Sequence, residues 1–145
     1  MKKTILYVFA SILIAVSVSA APGSKILKRF SETFPNAQNI KWTDDTNGYF
    51  VSFSQNGAFL KALYNKDGNF LYTLKYSDGS ALPTNIVMTL NEKYGETKII
   101  GTTEITMPDK TIYNIKLSKD DKLYCLNILT DGSVVKEEEY SNGTN

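Results

Sequence analysis

The chain has 145 residues, with 16 Lys and Arg against 15 Asp and Glu, no histidine and one cysteine. Balanced charge without a basic cluster excludes a nucleic-acid surface, which needs several phosphate-neutralising cations on one face. The missing histidine excludes the commonest general base and every Ser-His-Asp or Cys-His arrangement; the single cysteine excludes an intrachain disulfide and a zinc site of four Cys or His ligands.

Residues 1–20 read as a leader. Met1-Lys2-Lys3 is a short basic start, and Thr4 to Val18 is almost wholly apolar. Val18-Ser19-Ala20 puts small residues where a signal peptidase reads, which predicts a secretory signal peptide cleaved before Ala21. The apolar run is shorter than the roughly 20 residues a spanning helix needs. The expected location is therefore periplasmic or secreted, with no membrane span after cleavage. Loss of Lys2 and Lys3 takes the formal charge from +1 down by two, to −1.

From residue 21 the elements come in two matching series. Ile26, Leu27, Phe30 and Phe34 repeat at helical spacing, and Pro35 ends the run. Four short strands follow, metered by Asn47-Gly48, Asn56-Gly57, Asp67-Gly68 and Asp78-Gly79. Asn-Gly and Asp-Gly supply the positive φ angles of tight hairpins, so the run predicts an antiparallel meander. A two-residue turn at Asn56-Gly57 sets Phe53 opposite Leu60, Val51 opposite Ala62 and Tyr49 opposite Tyr64, all on one core-facing side. A three-residue turn at Lys66-Asp67-Gly68 extends the pattern, with Phe70, Tyr72 and Leu74 facing Tyr64, Ala62 and Leu60. Trp42 is expected to cap the core where the first helix meets the sheet.

The second series begins at Pro83. Ile86, Val87, Leu90 and Tyr94 give a second helical stripe, closed by Gly95. Turns at Pro108-Asp109, Asp120-Asp121 and Asp131-Gly132 then space four more strands. A two-residue turn at Asp120-Asp121 places Tyr113, Ile115, Leu117, Tyr124, Leu126 and Ile128 on one side. Glu137 to Glu139 mark the last strand as a charged edge. Tyr49 matches Tyr113, and Asp67-Gly68 matches Asp131-Gly132, at one constant offset. The predicted fold is α+β: a tandem repeat of two units, each a short helical segment packed on a four-stranded antiparallel β-meander. The units span residues 21–76 and 83–140, joined by a linker at 77–82 and followed by a flexible tail at 141–145.

The residues suited to chemistry are few. Asp44-Asp45, Asp120-Asp121 and Glu137 to Glu139 are neighbours in turns or on an edge, where acids serve solubility and turn formation. Cys125 falls near Lys116 on the side away from the core and reads as a small, partly buried apolar residue. No catalytic, cofactor-binding or metal-binding residue is assigned, and no cofactor is expected.

The candidate binding surface is that side of the first four strands, where Phe50, Phe59, Leu63 and Leu71 mingle with Lys61 and Lys75. An apolar patch with a polar rim marks many protein interfaces.

Phe34-Pro35-Asn36-Ala37, Trp42, Tyr49 to Phe53, Tyr64 with Asp67-Gly68, and Leu82-Pro83 together resemble the beta-lactamase-inhibitor-like, PepSY-like proteins. These are small exported proteins common in Bacteroidetes-type bacteria. The resemblance spans nearly the whole chain after the leader, and it lies in order and spacing rather than in one motif. It implies tandem units, a periplasmic location and no known catalysis. One cysteine cannot supply the disulfides that staple the true lactamase inhibitor, so lactamase inhibition is not expected. The resulting expectation is a non-catalytic periplasmic binding or inhibitory module acting on an unidentified envelope or secreted protein. It would grip that protein with the sheet face or with the Asp67-Gly68 and Asp131-Gly132 hairpins. The alternative is a small-ligand or glycan-binding periplasmic protein that stacks its ligand on tyrosines. The oligomeric state is open at this level.

Overall fold

The structure is a computed structural model that describes residues 21–141. The expected leader, residues 1–20, and residues 142–145 of the expected tail lie outside the described residues. The order is α1 (Ser24–Thr33), β1 (Gln38–Asp45), β2 (Gly48–Gln55), β3 (Ala58–Asn65), β4 (Phe70–Ser77), α2 (Thr84–Tyr94), β5 (Lys98–Thr106), β6 (Thr111–Lys119), β7 (Lys122–Leu129) and β8 (Val134–Ser141).

All eight strands form one antiparallel sheet in sequence order. The expectation of two tandem units, each with its own four-stranded sheet, is therefore overturned. β4 and β5 pair along five positions, from Thr73 with Thr106 to Ser77 with Thr102. Left apart, the two strands would each present a row of unpaired N–H and C=O groups; pairing satisfies both rows. Ser77 Oγ and Thr102 Oγ1 add a hydrogen bond across the joint, at 2.5 Å. Ser141, assigned to the tail from sequence, is the last residue of β8 and pairs with Lys122.

Both helices lie on one face of this sheet. α1 buries Ile26 and Phe30 among Val51, Phe53, Ala62 and Tyr64. Phe30 meets Trp42 edge-on at 5.3 Å, so Trp42 closes the core beside α1 as expected. α2 buries Ile86 and Leu90 among Ile115, Leu117, Leu126 and Ile128. Each helix is also tied to a hairpin. Lys25 Nζ donates to the carbonyl of Asp67 at 3.1 Å, and Arg29 donates to the Gly68 carbonyl and to Asn69 Oδ1. On the other side, Thr89 Oγ1 donates to the Gly132 carbonyl at 2.9 Å. The Asp-Gly hairpins thus hold the helices.

Hairpin register follows turn chemistry. Asn56 and Gly57 both have positive φ, 51° and 76°, as a primed turn requires. Phe53 faces Leu60, Val51 faces Ala62 and Tyr49 faces Tyr64, as the parity argument predicts. β6 and β7 likewise pair Ile115 with Leu126 and Leu117 with Tyr124.

Register departs from expectation in β4. Phe70 faces Tyr64, but the next partners are Tyr72 with Leu63 and Leu74 with Lys61. Leu71 is the extra residue of a β-bulge, and one extra residue sends every later side chain to the other face. Tyr72 and Leu74 therefore leave the core side. Thr73 and Lys75 move onto it, and Thr73 is buried.

One buried group stands out. Tyr64 is fully buried and its hydroxyl has no hydrogen-bond partner. Burial pushes its pKa up, opposed by Thr33 at the end of α1 and by the Arg29 charge one turn earlier. Removing an unpaired buried hydroxyl while keeping the ring should cost nothing. Tyr64→Phe is expected to unfold in urea within about 1 kcal/mol of the parent, or later; an earlier midpoint by more than that would reveal a hydrogen bond to α1.

Candidate functional site

The face opposite the helices carries no element of its own across the described residues. Its composition follows from register. Positions paired beside fully buried Val51, Phe53, Ile115, Leu117, Leu126 and Ile128 alternate to this side. Two of its cross-strand rows are apolar. The shorter runs Phe50, Leu63, Tyr72. The longer runs Lys61, Leu74, Ile105, Ile112, Leu129, and so crosses the joint between β4 and β5. A single sheet makes this row possible; two separate sheets would have cut it after Leu74.

The predicted site residues divide accordingly. Phe50, Phe59, Lys61 and Leu63 lie on this face. Phe59 is 49% exposed, and Leu63 only 7%, set between Phe50 and Tyr72 in its row. Leu71 sits at the bulge, outside the ladder and exposed. Lys75 does not belong to the patch. It pairs with Leu60 on the helix-bearing face and lies 3.9 Å from Glu104. In their place come Leu74, Tyr76 and, across the joint, Ile105, Ile112 and Leu129. The sequence held no signal for the bulge that brings Leu74 and Tyr76 over, since Phe70 to Tyr76 reads as an uninterrupted strand.

Two hollows indent the face. One, of about 300 Å³, is lined by Thr43, Phe50, Ser52, Lys61, Leu74 and Tyr76. The second, of about 280 Å³, shares Tyr76 and continues to Thr103, Asn114, Lys116 and the bulged Ile100. Asn114 donates to Asn127 at 2.8 Å beside it, which fixes both amides. Cys125 pairs with Lys116 on the same face and is half-buried.

A larger hollow, about 480 Å³, lies at the C-terminal end of α2 against β7 and β8. Its polar groups already serve one another. Lys119 holds Glu96 at 2.7 Å, and Tyr94 donates to Glu137 at 2.6 Å. Burial and the Glu137 carboxylate push the Tyr94 hydroxyl up to about 12, so it remains a donor at neutral pH.

The acids do not converge. Asp44 pairs with Tyr49 on the helix-bearing face, while Asp45 alternates to the open one. Glu138 lies opposite Cys125 on the open face, whereas Glu137 and Glu139 flank it on the other. Among the described residues no three His, Cys, Asp or Glu side chains come together as metal ligands would. Among them, too, no helix is long and apolar enough to cross a membrane.

No protein-family model and no curated protein matches the chain. Solved structures of similar fold exist. A BLIP-like protein of Bacteroides fragilis is 19% identical, with a TM-score of 0.76 over 87% of this chain and 92% of that one. A DUF2874 family protein of Bacteroides ovatus is 22% identical, with a TM-score of 0.74 over 83% of this chain and 89% of that one. A protein of Bacteroides eggerthii named for a periplasmic location is 16% identical, with a TM-score of 0.72 over 87% and 94%. At these identities the likeness is one of fold.

Proposed function

We propose that the chain is a non-catalytic binding or inhibitory module of the bacterial envelope, and that the open sheet face grips a protein. The observation that carries this reading is the continuous apolar row from Leu74 to Leu129, headed by Lys61, on a face that two hollows indent. Apolar centres with polar rims suit protein partners. A chain without histidine, whose carboxylates stand on opposite faces, suits binding better than catalysis. The periplasmic location and the kinship to inhibitor-like and PepSY-like modules belong to the same proposal. They draw on the leader, on the residue order from Phe34 to Pro83, and on the shared fold.

The test uses affinity capture from the native host. The double variant Phe50→Asp, Leu74→Asp places two charges in the patch without touching the helix-side core. Recovery of a discrete envelope protein by the parent, lost at least tenfold in the variant, is the expected result, since a charge buried without a partner is costly at an interface. Equal recovery by both would remove this face from the account.

A further inference from the structure

We infer that the protein segment held by the open face is acidic, with an apolar tip flanked by Asp or Glu side chains. The inference rests on the reading that this face binds a protein, and it adds what that protein must present.

The observation is a sorting of charge between the two faces of one sheet. On the open face the ladder positions hold Lys41, Lys61, Lys98, Lys116 and Lys136. The acids there are Asp45 and Glu138, and Glu138 is taken by Lys136 at 2.9 Å. Among the described residues Lys41, Lys61, Lys98 and Lys116 have no ion-pair partner. The helix-bearing face is the reverse. Its strands carry Asp44, Glu104, Glu137 and Glu139, and the lysines there, Lys75, Lys119 and Lys122, are paired with Glu104, Glu96 and Glu139. The whole chain is almost neutral, so bulk composition does not impose this sorting.

The cations are also placed where a partner would meet them. Lys61 lines the first hollow beside Leu74, and Lys116 lines the second beside Asn114. Each hollow thus combines apolar wall with one ammonium that nothing in the described chain neutralises. A carboxylate entering either would be paired in a partly desolvated setting, where charge complementarity sets partner choice and on-rate.

Spacing separates a protein from a polyphosphate or a bilayer. Lys61 stands on β3 and Lys116 on β6, three strand spacings or at least about 14 Å apart. Leu74 and Ile105 lie on the two strands between. A nucleic acid asks for a continuous cationic track, which these apolar residues interrupt. An apolar centre with isolated rim cations asks for the converse surface on a protein: an apolar tip with acids about it.

The experiment selects peptides from a random phage-displayed library on the protein produced from its full sequence. Selected peptides should be rich in Asp and Glu beside aliphatic or aromatic residues. Reversal of three lysines, K41E/K61E/K116E, should weaken a selected peptide about tenfold or more. The neutral variant K41Q/K61Q/K116Q should lie between, and Lys75→Glu on the other face should change nothing. Three results would overturn the inference: neutral or basic peptides dominating, equal affinity for the reversed protein, or phosphatidylglycerol vesicles or heparin outcompeting the peptides with the same lysine dependence. Peptides that lose affinity with F50D/L74D but ignore the lysines would sink the charge inference and leave the sheet-face reading standing. Peptides indifferent to both sets would sink both.

Discussion

Phe53→Ala is expected to lower the unfolding free energy by about 4 kcal/mol. Phe53 is fully buried in the core under α1. Its ring meets Phe30 edge-on at 5.1 Å and Phe34 at 4.7 Å. Truncation removes the transfer energy of the ring and leaves a cavity between a helix and a strand. That cavity cannot collapse easily, because α1 is pinned to the β3–β4 hairpin through Lys25 and Arg29. Phe59→Ala supplies the contrast: its side chain is on the open face and half exposed, so its loss should cost about 1 kcal/mol or less. Urea denaturation of both variants measures the difference. A Phe53→Ala loss below about 2 kcal/mol would mean the helix relaxes into the gap, and that α1 is held less firmly than its hydrogen bonds suggest.

Gly132→Ala is the second large effect, expected at about 3 kcal/mol. Gly132 adopts φ of +90°, a region that side chains avoid. A Cβ there would stand 2.7 Å from Thr89 Oγ1 and 2.8 Å from the Asn85 carbonyl oxygen of α2. The Asn85 oxygen belongs to helix backbone and cannot swing away. The substitution would therefore push α2 off the β7–β8 hairpin and weaken the Thr89 to Gly132 hydrogen bond. Gly57→Ala isolates the conformational part. Its φ is +76°, but nothing lies within 4 Å of the added Cβ, so about 1 kcal/mol is expected. Thermal unfolding of the pair should show Gly132→Ala melting well below Gly57→Ala. Equal midpoints would show that the hairpin does not carry α2.

These two positions also show how far the sequence reaches. Helical spacing of Ile26 and Phe30, and of Ile86 and Leu90, identifies the buried helix faces because one periodicity governs both sequence and packing. Turn chemistry at Asn56-Gly57 fixes a register, and through it the buried set Val51, Phe53, Ala62 and Tyr64. The failures lie where no local residue encodes the answer. The Leu71 bulge has no marker in Phe70 to Tyr76, yet it moves Leu74 into the candidate site and Lys75 out of it. The joint of β4 to β5 is set by two strand edges that the Ser77 to Leu82 connection and α2 keep apart in sequence. Three of the four apolar residues in the longer row lie beyond that joint. Ile105, Ile112 and Leu129 were therefore invisible as parts of one surface with Phe50 and Lys61.

The most direct measurement is photo-crosslinking in the native host with a benzophenone side chain at single positions. Phe59 and Leu74 probe the open face; Leu27 on α1 and Met88 on α2, both exposed, probe the other side. The account expects one discrete adduct, shared by Phe59 and Leu74 and missing from Leu27 and Met88. Adducts formed from the helix positions instead, or none from either open-face position, would contradict it.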